Sequence, residues 1–237
     1  MMNSEPLVSV LVPAYNAERY IVSAVESALN QTHSRLEVIV VDDGSRDATW
    51  ERLCSMPTDT RVKMARQENG GASVARNHCY RLAQGEFIQW LDADDLLAPQ
   101  KVAAQLEVWR QSGTPKDTLF SGRWVSFYKN HRKGLEERSP LSEVSHPAEW
   151  LRVKMRTNAW YPPEPWLTPR SLAERAGPWD ERLMRDNDGD YFCRVIEAAE
   201  TIRHVPESVI FYRRAVSGSI SSDLDLNAEK LQSLSVS

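Results

Sequence analysis

Apolar positions along the chain fall into two alternating rhythms. LVSVLVP (7–13) is a β-branched apolar run closed by proline, the pattern of a strand buried on both faces. NAERYIVSAVESALNQ (16–31) then carries Tyr20, Ile21, Val25, Ala28 and Leu29 at helical spacing, with Asn16 placed as the cap. LEVIVVDDGS (36–45) is a second buried strand, running into an acidic turn. The same reading predicts a helix over about 47–54, a strand near 61–65, and a helix over SVARNHCYRLAQG (73–85) that stops at Gly85 as its C-cap. FIQWLDADD (87–95) is the next strand and PQKVAAQLEVWRQSG (99–113) the next helix. Such alternation implies an α/β fold with a doubly wound, mostly parallel sheet, in which ligands sit beyond the carboxyl ends of the strands. PAYN, DDGS and DADD all lie at such ends and are expected to converge on one cleft.

Beyond residue 114 the pattern loosens. LFSGRWVSFYK (119–129) alternates like a strand, and 129–140 reads as a solvated loop. SHPAEWLRVKMR (145–156) starts a helix with Ser145 as cap and Pro147 in its first turn. NAWYPPEPW (158–166) is too rich in proline for regular structure, DGDYFCRVIEAAE (188–200) is helical, and TIRHVPESVIFYRR (201–214) is a strand in two pieces. The expected organisation is a ligand-binding half over 1–113, a more irregular second half of the same domain over 114–215, and a polar, partly disordered tail over 216–237.

Composition narrows the functional classes. The chain has 237 residues, 41% hydrophobic and 26% charged, enough for one large domain with a real core. A net charge of −4 leaves no basic face to dominate nucleic-acid binding. Cys54, Cys79 and Cys193 are scattered without metal-ligand spacing, which points to a reduced, cytoplasmic setting. No apolar run approaches the roughly 20 residues that cross a bilayer, and the N-terminus does not read as an export signal. Peripheral attachment to the inner face of a membrane stays compatible with the sequence.

Four polar segments carry candidate chemistry. In DADD, Asp92, Asp94 and Asp95 crowd three carboxylates into four residues, an arrangement that repels unless a cation is shared. The alternative is a polar turn with Asp95 capping the next helix. In VDDGSRD (41–47), Asp42 and Asp43 either accept hydrogen bonds from a nucleobase or ribose, or form an Asx-type turn with Gly44 at positive φ and Ser45 or Asp47 as a helix cap. ENGGASVARN (68–77) sets Gly70 and Gly71 before a helix, where free amides attract anions, with Arg76 as a fixed cation nearby. Asp186, Asp188 and Asp190 precede or open a helix, as dipole complements or as a general base.

Taken in order, VSVLVPAYNAERYIVSAVESALNQ, EVIVVDDGSRDAT, ENGGASVARN and GEFIQWLDADD resemble the family-two inverting glycosyltransferases of GT-A fold. The likeness covers about the first 110 residues, and GPWDERL with DGDYFCRV carries it to about 214. It implies a Rossmann-like GT-A fold, a nucleotide-diphosphate sugar donor, expected to be UDP-linked, and a divalent metal, Mn2+ or Mg2+. It also implies a saccharide or lipid-linked acceptor and a place in cell-surface polysaccharide or glycoconjugate synthesis. By the same resemblance Pro13, Ala14, Tyr15 and Asp43 hold the base, and Arg76 contacts the nucleotide. Asp92 meets the ribose or the metal's water shell, Ala93 lies on the same donor-binding turn, and Asp94 binds the metal. The general base falls on Asp188, with Asp190 as the alternative, because Asn187 stands where the family carries glutamate.

A second departure is Ala215, where relatives often carry a histidine that reaches the metal; His204 is a candidate substitute. Trp150, Trp160, Tyr161 and Trp166 either stack on acceptor sugars or pack a loop against the sheet. Two rivals stand beside this reading. One is a nucleotide-sugar-binding relative without turnover. The other is a sugar nucleotidyltransferase, which would show a glycine-rich phosphate loop where this chain has PAYNAERY.

Overall fold

The computed structural model describes residues 5–183 and 186–214. Its first sheet grows from the two apolar runs recognised above. In β1 (Val8–Ala14) and β2 (Leu36–Asp42) every residue except Pro13 is buried, as continuous β-branched runs require when both faces are covered. β3 (Val62–Arg66) and β4 (Phe87–Trp90) complete the parallel part, and β8 (Thr168–Pro169) closes the sheet antiparallel to β4, giving the order β3-β2-β1-β4-β8. The helices between these strands are α1 (Ile21–Leu29), α2 (Thr49–Cys54) and α3 (Ala72–Leu82).

A second, four-stranded sheet has the order β5-β9-β6-β7, from β5 (Leu96–Leu97), β6 (Thr118–Phe127), β7 (Leu135–Glu136) and β9 (Thr201–Arg213). β6 and β9 run parallel along their whole length, with one register shift between Gly122 and Arg123. The two pieces expected of 201–214 are therefore one strand with a bulge across 206–208. α4 (Lys101–Gln111), α5 (Pro147–Thr157), α6 (Arg170–Ala176) and α7 (Asn187–Ala198) pack around the two sheets. Residues 158–166 form neither helix nor strand, and 129–140 holds a short 3-10 turn (His131–Lys133) and β7, with a second 3-10 turn starting at Pro140, rather than plain loop. The predicted tail over 216–237 and Ala215 lie outside the described residues.

Several predicted helix ends move, and each has a partner elsewhere in the chain. α1 starts at Ile21 with Tyr20 as N-cap, because Asn16 sits at φ 50° and its Oδ1 accepts from the Arg46 amide instead. His146, not Ser145, precedes α5, and the Ser145 carbonyl accepts from Ile202 N. Asp95 caps no helix, since α4 begins six residues later. α3 ends at Leu82 with Ala83 as C-cap, so Gly85 serves a different need. A Cβ at Gly85 would lie 2.5 Å from Ser9 N and 2.9 Å from Leu7 O, so the chain passes β1 where only glycine fits. Ser9 Oγ accepts from Gly85 N at 2.8 Å and donates to buried Glu37, which also pairs with Lys63.

Gly85→Ala is expected to lower stability by about 1–3 kcal/mol through overpacking against β1. A urea-unfolding midpoint equal to that of the parent would show that the two segments can part without cost.

Candidate active site

The cleft at the carboxyl ends of β1, β2 and β4 is assembled by interlaced loops. Residues 16–18 after β1 and 45–49 after β2 exchange bonds both ways. Asn16 N donates to Ser45 Oγ (2.9 Å), Ala17 N to Thr49 Oγ1 (2.8 Å), Glu18 N to Asp47 Oδ2 (3.1 Å) and Ala48 N to Glu18 Oε2 (3.0 Å). This lacing fixes Pro13, Ala14 and the half-exposed Tyr15 beside the turn that begins at Asp42. Gly44 takes φ +70° as predicted, and Asp47 Oδ1 accepts from Thr49 N at the start of α2. Buried Asp42 pairs with Arg66 Nε at 2.9 Å.

Asp43 is more heavily used within the chain than its motif implied. Its carboxylate accepts from Gln67 Nε2 (2.7 Å), Asn69 Nδ2 (3.1 Å), Gly70 N (2.9 Å) and Gly71 N (2.8 Å). The two glycine amides expected to meet a ligand's anion at the head of α3 thus already hold an internal one.

The acidic rim centres on Arg76, a buried side chain of α3. Its Nη2 lies 3.1 Å from Asp92 Oδ1, beyond β4, and 3.2 Å from Asp188 Oδ1, in the first turn of α7. Beneath, the guanidinium rests 4.5 Å from the centre of the Trp179 ring, which stacks at 4.0 Å on Tyr191 with Trp90 edge-on to both. Burial alone would make the guanidinium easier to deprotonate, but Asp188, Asp92 and Glu164 outweigh it and raise its pKa.

Asp94 stands apart from this pairing. No other described residue donates to its carboxylate, and burial together with Asp92 pushes its pKa up to about 6. Asp95 Oδ1 accepts from Arg213 N (2.6 Å), Arg213 Nε donates to Asp94 O (2.8 Å), and Asp95 Oδ2 is buried without a partner among the described residues. Hard, uncompensated carboxylate oxygens of this kind fit a divalent cation such as Mg2+ or Mn2+. Among the described residues no three acidic, histidine or cysteine side chains gather into a complete metal cage.

His204 does not reach this rim. It pairs with Ser121 far down β9, seven positions before Phe211, which pairs with Leu96; at strand rise that is on the order of 20 Å. The two candidate bases are also separated. Asp190 is held by Arg194 at 2.7 Å on the outer face of α7, whereas Asp188 faces Arg76 with its pKa raised mainly by burial. Asn187 touches Ser73 Oγ at 3.3 Å.

Glu164 escaped the sequence reading. It is 0% exposed, and among the described residues neither carboxylate oxygen has a hydrogen-bond partner. Followed along the β4–β8 register, it falls level with Asp92. Three buried side chains fix the carbonyls around it: Gln89 Nε2 donates to Glu164 O (2.7 Å), Gln105 Nε2 to Pro165 O (2.9 Å) and Lys101 Nζ to Trp166 O (3.3 Å). Burial, then Asp92 and Asp95, drive the Glu164 pKa well above the carboxylate range.

The aromatic residues divide. Trp150, Tyr161 and Trp166 are buried against one another and pack the 158–166 segment, so the stacking role fails for them; Trp160 alone is open, at 48% exposure. A cavity of about 80 Å3 beside Asp188 is lined by Trp160, Lys154, Asp186 and Cys193, with buried aromatics behind. A groove of about 760 Å3 between Arg81, Trp179, Arg182 and Arg194 is lined by none of Asp92, Asp94 and Asp188 and shares only Asp190 with the predicted site.

Residues 9–166 match the family model described as Glycosyl transferase family 2. The chain belongs to this family. Among family-2 relatives, chondroitin synthase of Pasteurella multocida strain Pm70 is 30% identical over 226 residues, an alignment spanning 95% of this chain and 22% of that protein. TarS of S. aureus in complex with UDP-GlcNAc superposes with a TM-score of 0.75 at 20% identity, covering 91% of this chain and 60% of that one. Mannosyltransferase PcManGT of Pyrobaculum calidifontis, in complex with GDP-Man and Mn2+, gives 0.65 at 22% identity, covering 91% and 59%. These superpositions establish the GT-A fold expected of the sequence. The chain spans about a third or less of the length of the first curated relatives.

The unpartnered Glu164 carries a stability consequence. A carboxyl whose folded pKa exceeds its unfolded one stabilises fully at pH below the unfolded pKa, and that contribution is lost as pH rises through the folded value. Glu164→Gln is therefore expected to melt with the parent in acid and above it once pH passes the ordinary carboxylate range. Parallel melting curves across pH would show that Glu164 is not held in its uncharged form.

Proposed function

We propose that this family-2 chain transfers a sugar from a nucleotide-diphosphate donor, UDP-linked, to an acceptor hydroxyl with inversion, in cell-surface polysaccharide or glycoconjugate synthesis. The observation that carries the reading is the meeting of Asp92 and Asp188 on Arg76, beside an Asp94 whose carboxylate accepts no hydrogen bond from any other described residue. The chondroitin synthase likeness and the nucleotide sugars named with TarS and PcManGT support the donor and acceptor classes.

In this mechanism Pro13, Ala14 and Tyr15 bound the base, and Asp43 shapes that wall by holding 67–71 in place. Asp92 and Ala93 line the donor's ribose and sugar side, with Arg76 as the fixed cation. Asp94 would hold a divalent ion, Mn2+ or Mg2+, beside the donor's diphosphate. When bound, that ion neutralises the charge growing on the leaving diphosphate. Asp188 takes the proton of the acceptor hydroxyl, which enters past Trp160 and attacks opposite the departing group; one displacement inverts the anomeric centre. The Arg194 pair leaves Asp190 a structural part, and that geometry favours Asp188 as the base. Among the described residues no helix is long and apolar enough to cross a membrane.

Asp188→Asn is expected to lower turnover by roughly 10²–10⁴-fold while leaving nucleotide binding intact. Asp94→Asn should abolish the Mn2+-dependent part of the thermal shift produced by UDP or UDP-sugars. Undiminished turnover in Asp188→Asn would remove it as the base. A parent protein that binds a UDP-sugar with Mn2+ yet releases no UDP with any acceptor would favour the binding-only relative.

A further inference from the structure

The hairpin that joins β6 to β7 is ordered, yet it turns its large apolar side chains outward. Asn130 accepts from Arg132 N at 3.0 Å, His131 packs its ring 4.7 Å from Phe211, and Gly134 lies so close to Val125 that no side chain fits there. With its frame held in this way, Tyr128 stands 67% exposed and Leu135 76% exposed. Around them Lys129, Arg132, Lys133 and Arg138 make no ion pair among the described residues, whereas the acids of the hairpin are engaged, Glu136 by Arg123 and Glu137 by Arg214. The surface is therefore locally cationic on a chain whose net charge is −4.

We propose that this hairpin docks the protein on an anionic lipid bilayer, with Tyr128 and Leu135 entering the headgroup–acyl boundary and the four cations facing lipid phosphates. Basic side chains flanking exposed aromatic and aliphatic ones are what such a surface selects, and each cation near it adds to binding. A nucleic acid would meet the cations but give Leu135 nothing to bury against. The inference stands on this surface and not on the transferase reading. If both hold, one consequence follows from the base of the hairpin: Phe127 pairs with Arg213, whose amide holds Asp95, so docking brings the carboxylate rim to the lipid plane, where a lipid-linked acceptor would stand.

The test is sedimentation of the full chain with phosphatidylcholine vesicles, with and without one third phosphatidylglycerol. Binding only to the anionic vesicles is expected, weakening as salt screens the charges. Lys129→Glu, Arg132→Glu and Lys133→Glu combined should lower it by roughly a hundredfold. Tyr128→Ser with Leu135→Ser should also lower it, both variants keeping the parent's unfolding midpoint. No binding by the parent, or binding that the charge reversals leave unchanged, overturns the proposal. Loss with the charge reversals but not with the serine pair, together with equal affinity for heparin, would make this a general polyanion site and also overturn it.

Discussion

The site depends on one guanidinium. Arg76 is buried, and a buried charge is tolerated only where opposite charges and a polarisable neighbour replace water. Asp92 and Asp188 supply the charges, and the Trp179–Tyr191 stack supplies a surface that accepts a flat cation. Because Asp92 follows β4 and Asp188 opens α7, the pairing also ties the parallel sheet to the later helices. Removing the cation would leave the Asp92 and Asp188 carboxylates facing each other near buried Glu164, so the same contact holds the rim and the fold together.

The rest of the rim is built on short-range repulsion held in check. Asp95 is steadied by Arg213, and Asp92 by Arg76, whereas the Asp94 carboxylate accepts no hydrogen bond from any other described residue and has only the charge of Arg213 to offset burial and Asp92. Behind it, Glu164 sits among prolines that can donate no hydrogen bonds, and Gln89, Lys101 and Gln105 are spent on the carbonyls of that segment. Rigid backbone and crowded like charges together make this wall costly to move.

Much of the first sheet was legible because continuous apolar runs such as LVSVLVP and LEVIVV admit little except buried parallel strands. The convergence of PAYN, DDGS and DADD followed from that topology alone. Helix ends were less legible: Asn16, Ser145 and Asp95 all have side chains or carbonyls that suit a local cap, and all are claimed by partners far along the chain. The second sheet was largely hidden, since β5 is two residues long and β9 finds β6 across some eighty residues. Glu164 gave no local signal, because its neighbourhood is created by the β4–β8 pairing. Trp150, Tyr161 and Trp166 look alike in sequence to Trp160, and only packing separates core from surface.

The occupied head of α3 bears on how such a chain responds to its surroundings. A free helix N-terminus is a standing anion site that needs no metal, but here Asp43 fills it permanently. A diphosphate arriving at the rim finds carboxylates in excess and that helix end taken. On the proposed reading its retention would depend on the supply of divalent ions, so that donor and cation would each be held only as firmly as the other permits.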